Sequence, residues 1–144
     1  MLEQVTTYIS NSQITDVSHI NSDITIELGE IKVWISSSWR LESEGTIRIG
    51  NDNLVESLSH EDYKEDYNES VAFVKECLYN STIIEVKYSD FQELTLTLSS
   101  GFTFRSFQAY GNDAENFQLY TTKQRYLVYP DKVELEDLGP FYKG

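Results

Sequence analysis

The stretch ITIELGEIKVWISSSW, residues 24–39, decides the fold of this chain. Apolar and polar residues alternate through its first five positions and again after a turn at Gly29, and this alternation is typical of half-buried strands. In the second strand three aliphatic residues share one face, whereas Trp34 lies on the other. The stretch therefore predicts an antiparallel hairpin with one face turned towards a core.

A second stretch, LTLTLSSGFTFRSF from residue 94, repeats this pattern. Its inward residues correspond one by one to those of the first stretch: Leu94, Leu96, Leu98, Phe102 and Phe104 match Ile24, Ile26, Leu28, Ile31 and Val33. The position that matches Trp34 is Arg105, so no repeated core requirement explains that tryptophan. The sequence predicts two similar β-meander halves, at about residues 14–50 and 83–130.

The segment between the halves has a different period. Its apolar residues recur every three or four positions, as expected for one face of a helix: Tyr63, Tyr67, Val71, Val74 and Leu78. Carboxylates crowd its first turns, where the helix dipole favours negative charge. The sequence thus predicts a single domain, residues 1–144, of the α+β class. In this prediction an antiparallel sheet built from the two halves is covered by one central amphipathic helix at about residues 61–79.

The formal net charge is −13, from 24 acidic and 11 basic residues. Such a negative surface disfavours nucleic acid and anionic membranes as partners and favours a basic protein. No apolar run reaches the length of a membrane span, and the first residues lack the features of a signal peptide. The cytoplasm is therefore the expected location.

Motifs for chemistry are missing from the sequence. It contains no nucleophile elbow, phosphate-binding loop or dinucleotide fingerprint, and its histidine and cysteine spacings match no metal site. We therefore predict no catalytic residue, metal or cofactor, and a buried core thiol at Cys77. The acidic run at the helix start suits a solvated helix end or contact with a basic partner better than a metal ion. The predicted partner-binding residues are Trp34, Glu61, Asp62, Glu65 and Asp66.

The segments SSSWRL, ELTLTLSSGFTFRSF and ENFQLYT resemble uncharacterised small bacterial proteins with two β-rich halves. Some proteins of this type are presumed to be toxin-immunity proteins. The resemblance implies a non-enzymatic acidic binding protein, an immunity-type inhibitor of a basic bacterial toxin. Two alternatives stay open, namely a small enzyme or ligand-binding protein with carboxylates in a cleft between the halves, and a self-associating structural protein. The oligomeric state is open as well.

Overall fold

The computed structural model describes residues 1–54 and 64–139. Within these ranges strands are the commonest element, accompanied by two helices and one 3₁₀ turn at Asn51–Leu54. In chain order the elements are α1 (Leu2–Ile9), β1 (Asp16–Ile20), β2 (Asp23–Leu28), β3 (Ile31–Ile35), β4 (Ser38–Ser43), β5 (Thr46–Gly50), α2 (Lys64–Leu78), β6 (Ile83–Tyr88), β7 (Leu94–Leu98), β8 (Thr103–Phe107), β9 (Phe117–Tyr120), β10 (Gln124–Val128) and β11 (Val133–Asp137). This is an α+β chain with antiparallel strands, as the sequence predicts.

The strands form two sheets, whereas the residue pattern predicts one. The six-stranded sheet has the order β1-β2-β3-β9-β10-β11, and the five-stranded sheet has the order β5-β4-β8-β7-β6. The chain changes sheets between β3 and β4 and again between β8 and β9, so each sheet combines early and late strands. Alternation along a strand shows which side chains face inward but not which strand is the neighbour, which is why the pairing escaped prediction.

The core is formed by the inward faces of the two sheets. Of the predicted inward residues of the opening stretch, Ile31 is only partly buried and the others are buried, with Ile24, Ile26 and Val33 almost fully inaccessible to solvent. Trp39 is fully buried, stacks on Phe104 with ring centroids 5.7 Å apart, and donates its indole N–H to a backbone carbonyl at 2.9 Å. The bond satisfies the polar atom that burial of a tryptophan would otherwise leave without a partner.

Both helices pack their apolar stripes onto this core. Residues 61–63 of the predicted helix lie outside the described residues, and α2 buries Val74 and Leu78 in the predicted register. Helix α1, which the residue pattern does not predict, buries Val5 and Ile9. Neither helix combines the length and the apolar character needed to cross a bilayer, as far as the described residues extend.

The segment before β1 and the segment before β6 run side by side in opposite directions. Residues 13 and 82 form an isolated antiparallel bridge. Around it lie four backbone hydrogen bonds, 2.8–3.0 Å long, which form two reciprocal pairs. In one pair the N–H of Asn11 donates to the carbonyl of Ile83 and the N–H of Asn80 donates to the carbonyl of Ile14. In the other pair the N–H of Ile14 donates to the carbonyl of Ser81 and the N–H of Ile83 donates to the carbonyl of Ser12. Asn11 and Asn80 both adopt left-handed backbone conformations, which asparagine tolerates better than most residues.

Candidate interaction surface

The predicted acidic residues of α2 are only partly within the described region. Glu61 and Asp62 lie outside it, whereas Glu65 and Asp66 are exposed in the first turn of α2. Asp66 lines an open depression of about 400 Å³ together with Arg48 of β5. These carboxylates are therefore accessible, and one of them lies near a cationic side chain of the protein itself.

Trp34 lies on the outer face of the six-stranded sheet, between Thr25 of β2 and Gln118 of β9. Its side chain is half-buried and forms a hydrogen bond with Asp23. Burial raises the pKa of the Asp23 carboxyl above its ordinary value, and the bond from Trp34 opposes that rise. The indole N–H thus has an intramolecular partner, and part of the ring remains open to contact. Trp34 and the carboxylates of α2 lie on different elements.

A third surface, which the sequence does not predict, is built by three connections between strands. These are residues 89–93 between β6 and β7, residues 108–116 between β8 and β9, and residues 129–132 between β10 and β11. We call them together the loop surface. The connections β1–β2 and β3–β4 need only two residues each, 21–22 and 36–37. The first two loops of the surface are therefore longer than comparable connections in the same fold.

Side-chain hydrogen bonds hold these loops to one another. Asn116 is fully buried, and its Nδ2 donates to the carbonyl oxygen of Phe91 at 2.7 Å. The carboxylate of Glu93 accepts the backbone N–H of Gln108 at 2.6 Å. Gln92 Nε2 donates to the carbonyl oxygen of Tyr129, also at 2.6 Å. Each of the three loops is thus tied to another, so the surface is ordered in advance of any contact.

The long loop is also braced from within. Gln108 Nε2 lies 3.1 Å from the carbonyl oxygens of both Ala114 and Glu115, and Gln108 Oε1 accepts the backbone N–H of Tyr110. Gln92, at the tip of the neighbouring loop, has a φ of 60°. That left-handed conformation costs a side-chain-bearing residue about 1 kcal/mol or more and persists only where surrounding bonds hold it.

Two aromatic rings project from this braced scaffold. Phe91 is 64% exposed and Tyr110 is 79% exposed, and both line a cavity of about 240 Å³. Apolar side chains exposed singly are ordinary, but two rings that line one cavity on immobilised loops are typical of an interaction site.

The loop surface is acidic. Its three segments contain one lysine, Lys132, and five carboxylates: Asp90, Glu93, Asp113, Glu115 and Asp131. These charges affect the phenol of Tyr129, whose pKa is raised by desolvation and by the nearby carboxylates of Glu115 and Glu134. The Lys132 ammonium lies 4.9 Å from the Tyr129 ring centroid, in the geometry of a cation–π contact.

The outer face of the five-stranded sheet has the opposite character. Arg40 and Arg105 are direct neighbours on β4 and β8, and both bond to Glu42, at 2.5 and 3.0 Å. The two guanidiniums hold the pKa of the Glu42 carboxyl below its ordinary value. Two guanidiniums share one carboxylate, so this cluster keeps a net positive charge.

The groups that could carry chemistry are placed as follows. Cys77 is buried, and desolvation raises the pKa of its thiol to about 11, so the thiol is protonated at neutral pH and a weak nucleophile. Over the described ranges, no three metal-binding side chains come together in a way that could hold an ion. His19 contacts the ring of Tyr67 edge-on at 6.1 Å, joining β1 to α2.

The signal that could have revealed the loop surface is present in the sequence. The insertion YGNDAE interrupts the second meander where the first has only a short run of serines, and it combines an aromatic with acidic residues. What the sequence does not show is that residues 89–93 fold against this insertion, because the contact depends on the sheet pairing.

No family model, curated protein or solved structure matches this chain. Likeness to known proteins therefore contributes nothing to its functional assignment.

Proposed function

We propose that this chain is a non-enzymatic cytosolic binding protein whose loop surface contacts a basic protein, and that it acts as an immunity-type inhibitor of a basic bacterial toxin. The observation that carries the proposal is the pair of exposed rings, Phe91 and Tyr110, on acidic loops that hydrogen bonds immobilise. A few anchor residues, often aromatic, provide most of the binding energy at protein interfaces, and a complementary charge accelerates association.

An internal repeat gives this proposal further support. We infer that the chain consists of two equivalent halves, about residues 14–50 and 83–130. Three consecutive strands of one half join two of the other in each sheet, β1-β2-β3 with β9-β10 and β6-β7-β8 with β4-β5. The residues that face each other across these strand pairs correspond as well. Trp34 lies opposite Gln118 in one sheet, and its counterpart Arg105 lies opposite Arg40 in the other. The reciprocal hydrogen bonds between the leading segments have the same symmetry.

The two halves then provide an internal comparison. The first half closes its sheet connections with residues 21–22 and 36–37, whereas the second uses residues 89–93 and 108–116 in the equivalent places. The extra residues are not needed to complete the fold. They also bear the exposed rings and most of the carboxylates of the loop surface. Residues that the scaffold does not require, with apolar side chains held in solvent, fit a role in recognition.

The test is protection of cells. The chain is co-expressed with each basic toxin domain encoded beside its own gene, and survival is measured. We expect protection against one of them, and we expect the variant Phe91→Ala/Tyr110→Ala to bind that toxin at least tenfold more weakly and to lose protection.

A matched control is available elsewhere on the surface. Tyr79 and Ile84 are also large and exposed, at 59% and 58%, and lie outside the loop surface. The variant Tyr79→Ala/Ile84→Ala should protect as the unmodified chain does. The proposal is wrong if the unmodified chain protects against none of these toxins, or if the two double variants behave alike.

A further inference from the structure

The cavity between the two exposed rings has the dimensions and the chemistry of a single-residue subsite. It is bounded by Phe91, Glu93, Gln108, Tyr110, Asn112 and Pro130. Its volume of about 240 Å³ lies below the roughly 300 Å³ at which pockets for drug-sized ligands begin. One long side chain would fill it.

We propose that this cavity receives one lysine or arginine side chain of the basic partner, an inference that rests on the proposed function. In the described part of the chain no ring contact joins Phe91 to Tyr110, so the exposed part of each ring is available to a guest. A cation over an aromatic face is attracted by the ring quadrupole, and the aliphatic stem of lysine or arginine packs on apolar walls.

The polar groups around the cavity complete the match. Glu93 lines the cavity. Asp90 directly precedes the lining residue Phe91, and Asp131 directly follows the lining residue Pro130. Glu93 is fixed in place, because its two oxygens accept hydrogen bonds from Ser89 Oγ and from the backbone of Gln108. An anionic guest would meet these charges unfavourably, whereas a cation gains from each.

The protein already contains one example of this contact at the edge of the same surface. Lys132 extends over the ring of Tyr129 and pairs with Glu134 at 3.0 Å. The combination of ring, cation and carboxylate that we propose for the partner's side chain is thus present within the chain, in the loop that also contributes Pro130 to the cavity.

The experiment is a titration of the ¹⁵N-labelled full chain by NMR with Nα-acetyl-arginine amide and Nα-acetyl-lysine amide. Nα-acetyl-norleucine amide is the matched probe, because it retains the stem of lysine and lacks the charge. We expect saturable shifts of the backbone amides of residues 91, 108 and 110 with the cationic probes. Binding of norleucine amide should be at least fivefold weaker, and raising the salt concentration from about 20 to 300 mM should weaken binding of the cationic probes.

Variants that keep bulk but remove the rings provide the second measurement. Phe91→Leu/Tyr110→Leu should weaken binding of the cationic probes at least fivefold, and Tyr79→Leu should leave it unchanged. Equal binding of norleucine amide, binding of Nα-acetyl-glutamate amide in preference, or no saturable shift would each overturn the inference.

Failure of this inference is distinguishable from failure of the proposed function. If the cationic probes do not bind while Phe91→Ala/Tyr110→Ala still abolishes protection, the cation subsite is wrong and the binding role stands. If the probes bind while the unmodified chain protects against no toxin, the subsite stands and the immunity role is wrong.

Discussion

Replacement of Asn116 by alanine should loosen the loop surface without removing any residue that faces a partner. Asn116 is fully buried, donates to the Phe91 carbonyl at 2.7 Å and accepts a longer bond from Gln108 at 3.3 Å. The alanine variant loses one good and one weak hydrogen bond and leaves the Phe91 carbonyl without that donor. With about 1 kcal/mol for a typical bond and more for a buried group left unpaired, the expected loss in free energy of unfolding is about 2 kcal/mol.

Urea unfolding followed by tryptophan fluorescence measures this loss, and the midpoint of thermal unfolding should fall by about 4–8 °C for a chain of this size. Asn112 is the matched control, because it is exposed on the same loop. Asn112→Ala should change stability by less than about 0.5 kcal/mol. If the two alanine variants are equally stable, the hydrogen bond from Asn116 does not hold the loops together and the rigidity that we assign to this surface is wrong.

Three further predictions concern other parts of the molecule. The ionised Glu42 side chain is stabilising, because its two arginine partners lower the pKa of its carboxyl in the folded state. This stabilisation is present above the unfolded pKa and is lost as the pH falls through the folded pKa. The free energy of unfolding of Glu42→Gln should therefore differ from that of the wild type by up to about 1 kcal/mol at pH 6, and the difference should shrink as the pH falls below the ordinary carboxyl pKa of 4.5; a constant difference would contradict this. The thiol of Cys77, with a pKa of about 11, should react with iodoacetamide at pH 7.5 roughly 100-fold more slowly in the folded chain than in urea, and equal rates would show that it is accessible. Trp39→Phe removes the bond to the Ser22 carbonyl and leaves a small cavity, so urea unfolding should show a loss of about 2–3 kcal/mol; less than about 0.5 kcal/mol would mean that the site repacks.

The elements with strong periodicity could be predicted from the sequence. The alternation of Ile24, Ile26 and Leu28 indicates a strand with one buried face, and the spacing of Val74 and Leu78 indicates a helix stripe; both are confirmed by burial. These features depend only on local geometry, which the residue pattern records directly.

The elements that depend on tertiary contacts could not be predicted in the same way. Helix α1 is short and contains two β-branched threonines, so its intrinsic helix propensity is weak and packing of Val5 and Ile9 stabilises it. The division into two sheets depends on β9 pairing with β3 and β4 with β8, contacts that join residues far apart in sequence.

The sequence predicts the acidic character of the interaction surface but not which residues form it. Acidic character follows from composition, and Trp34, Glu65 and Asp66 stay predicted contacts on their own elements. Phe91 gives no periodic signal, because one exposed ring in a loop cannot be told from a core residue by sequence. Only the fold brings it beside Tyr110 at a common cavity.

Hydrogen–deuterium exchange of the chain with and without the basic toxin domain that it protects against tests the central claim most directly. We predict that backbone amides of residues 89–93 and 108–116 exchange more slowly in the complex, while those of β5 are unchanged. Protection confined to the start of α2 or to the neighbourhood of Trp34, with the loop surface unaffected, would contradict the assignment of recognition to Phe91 and Tyr110.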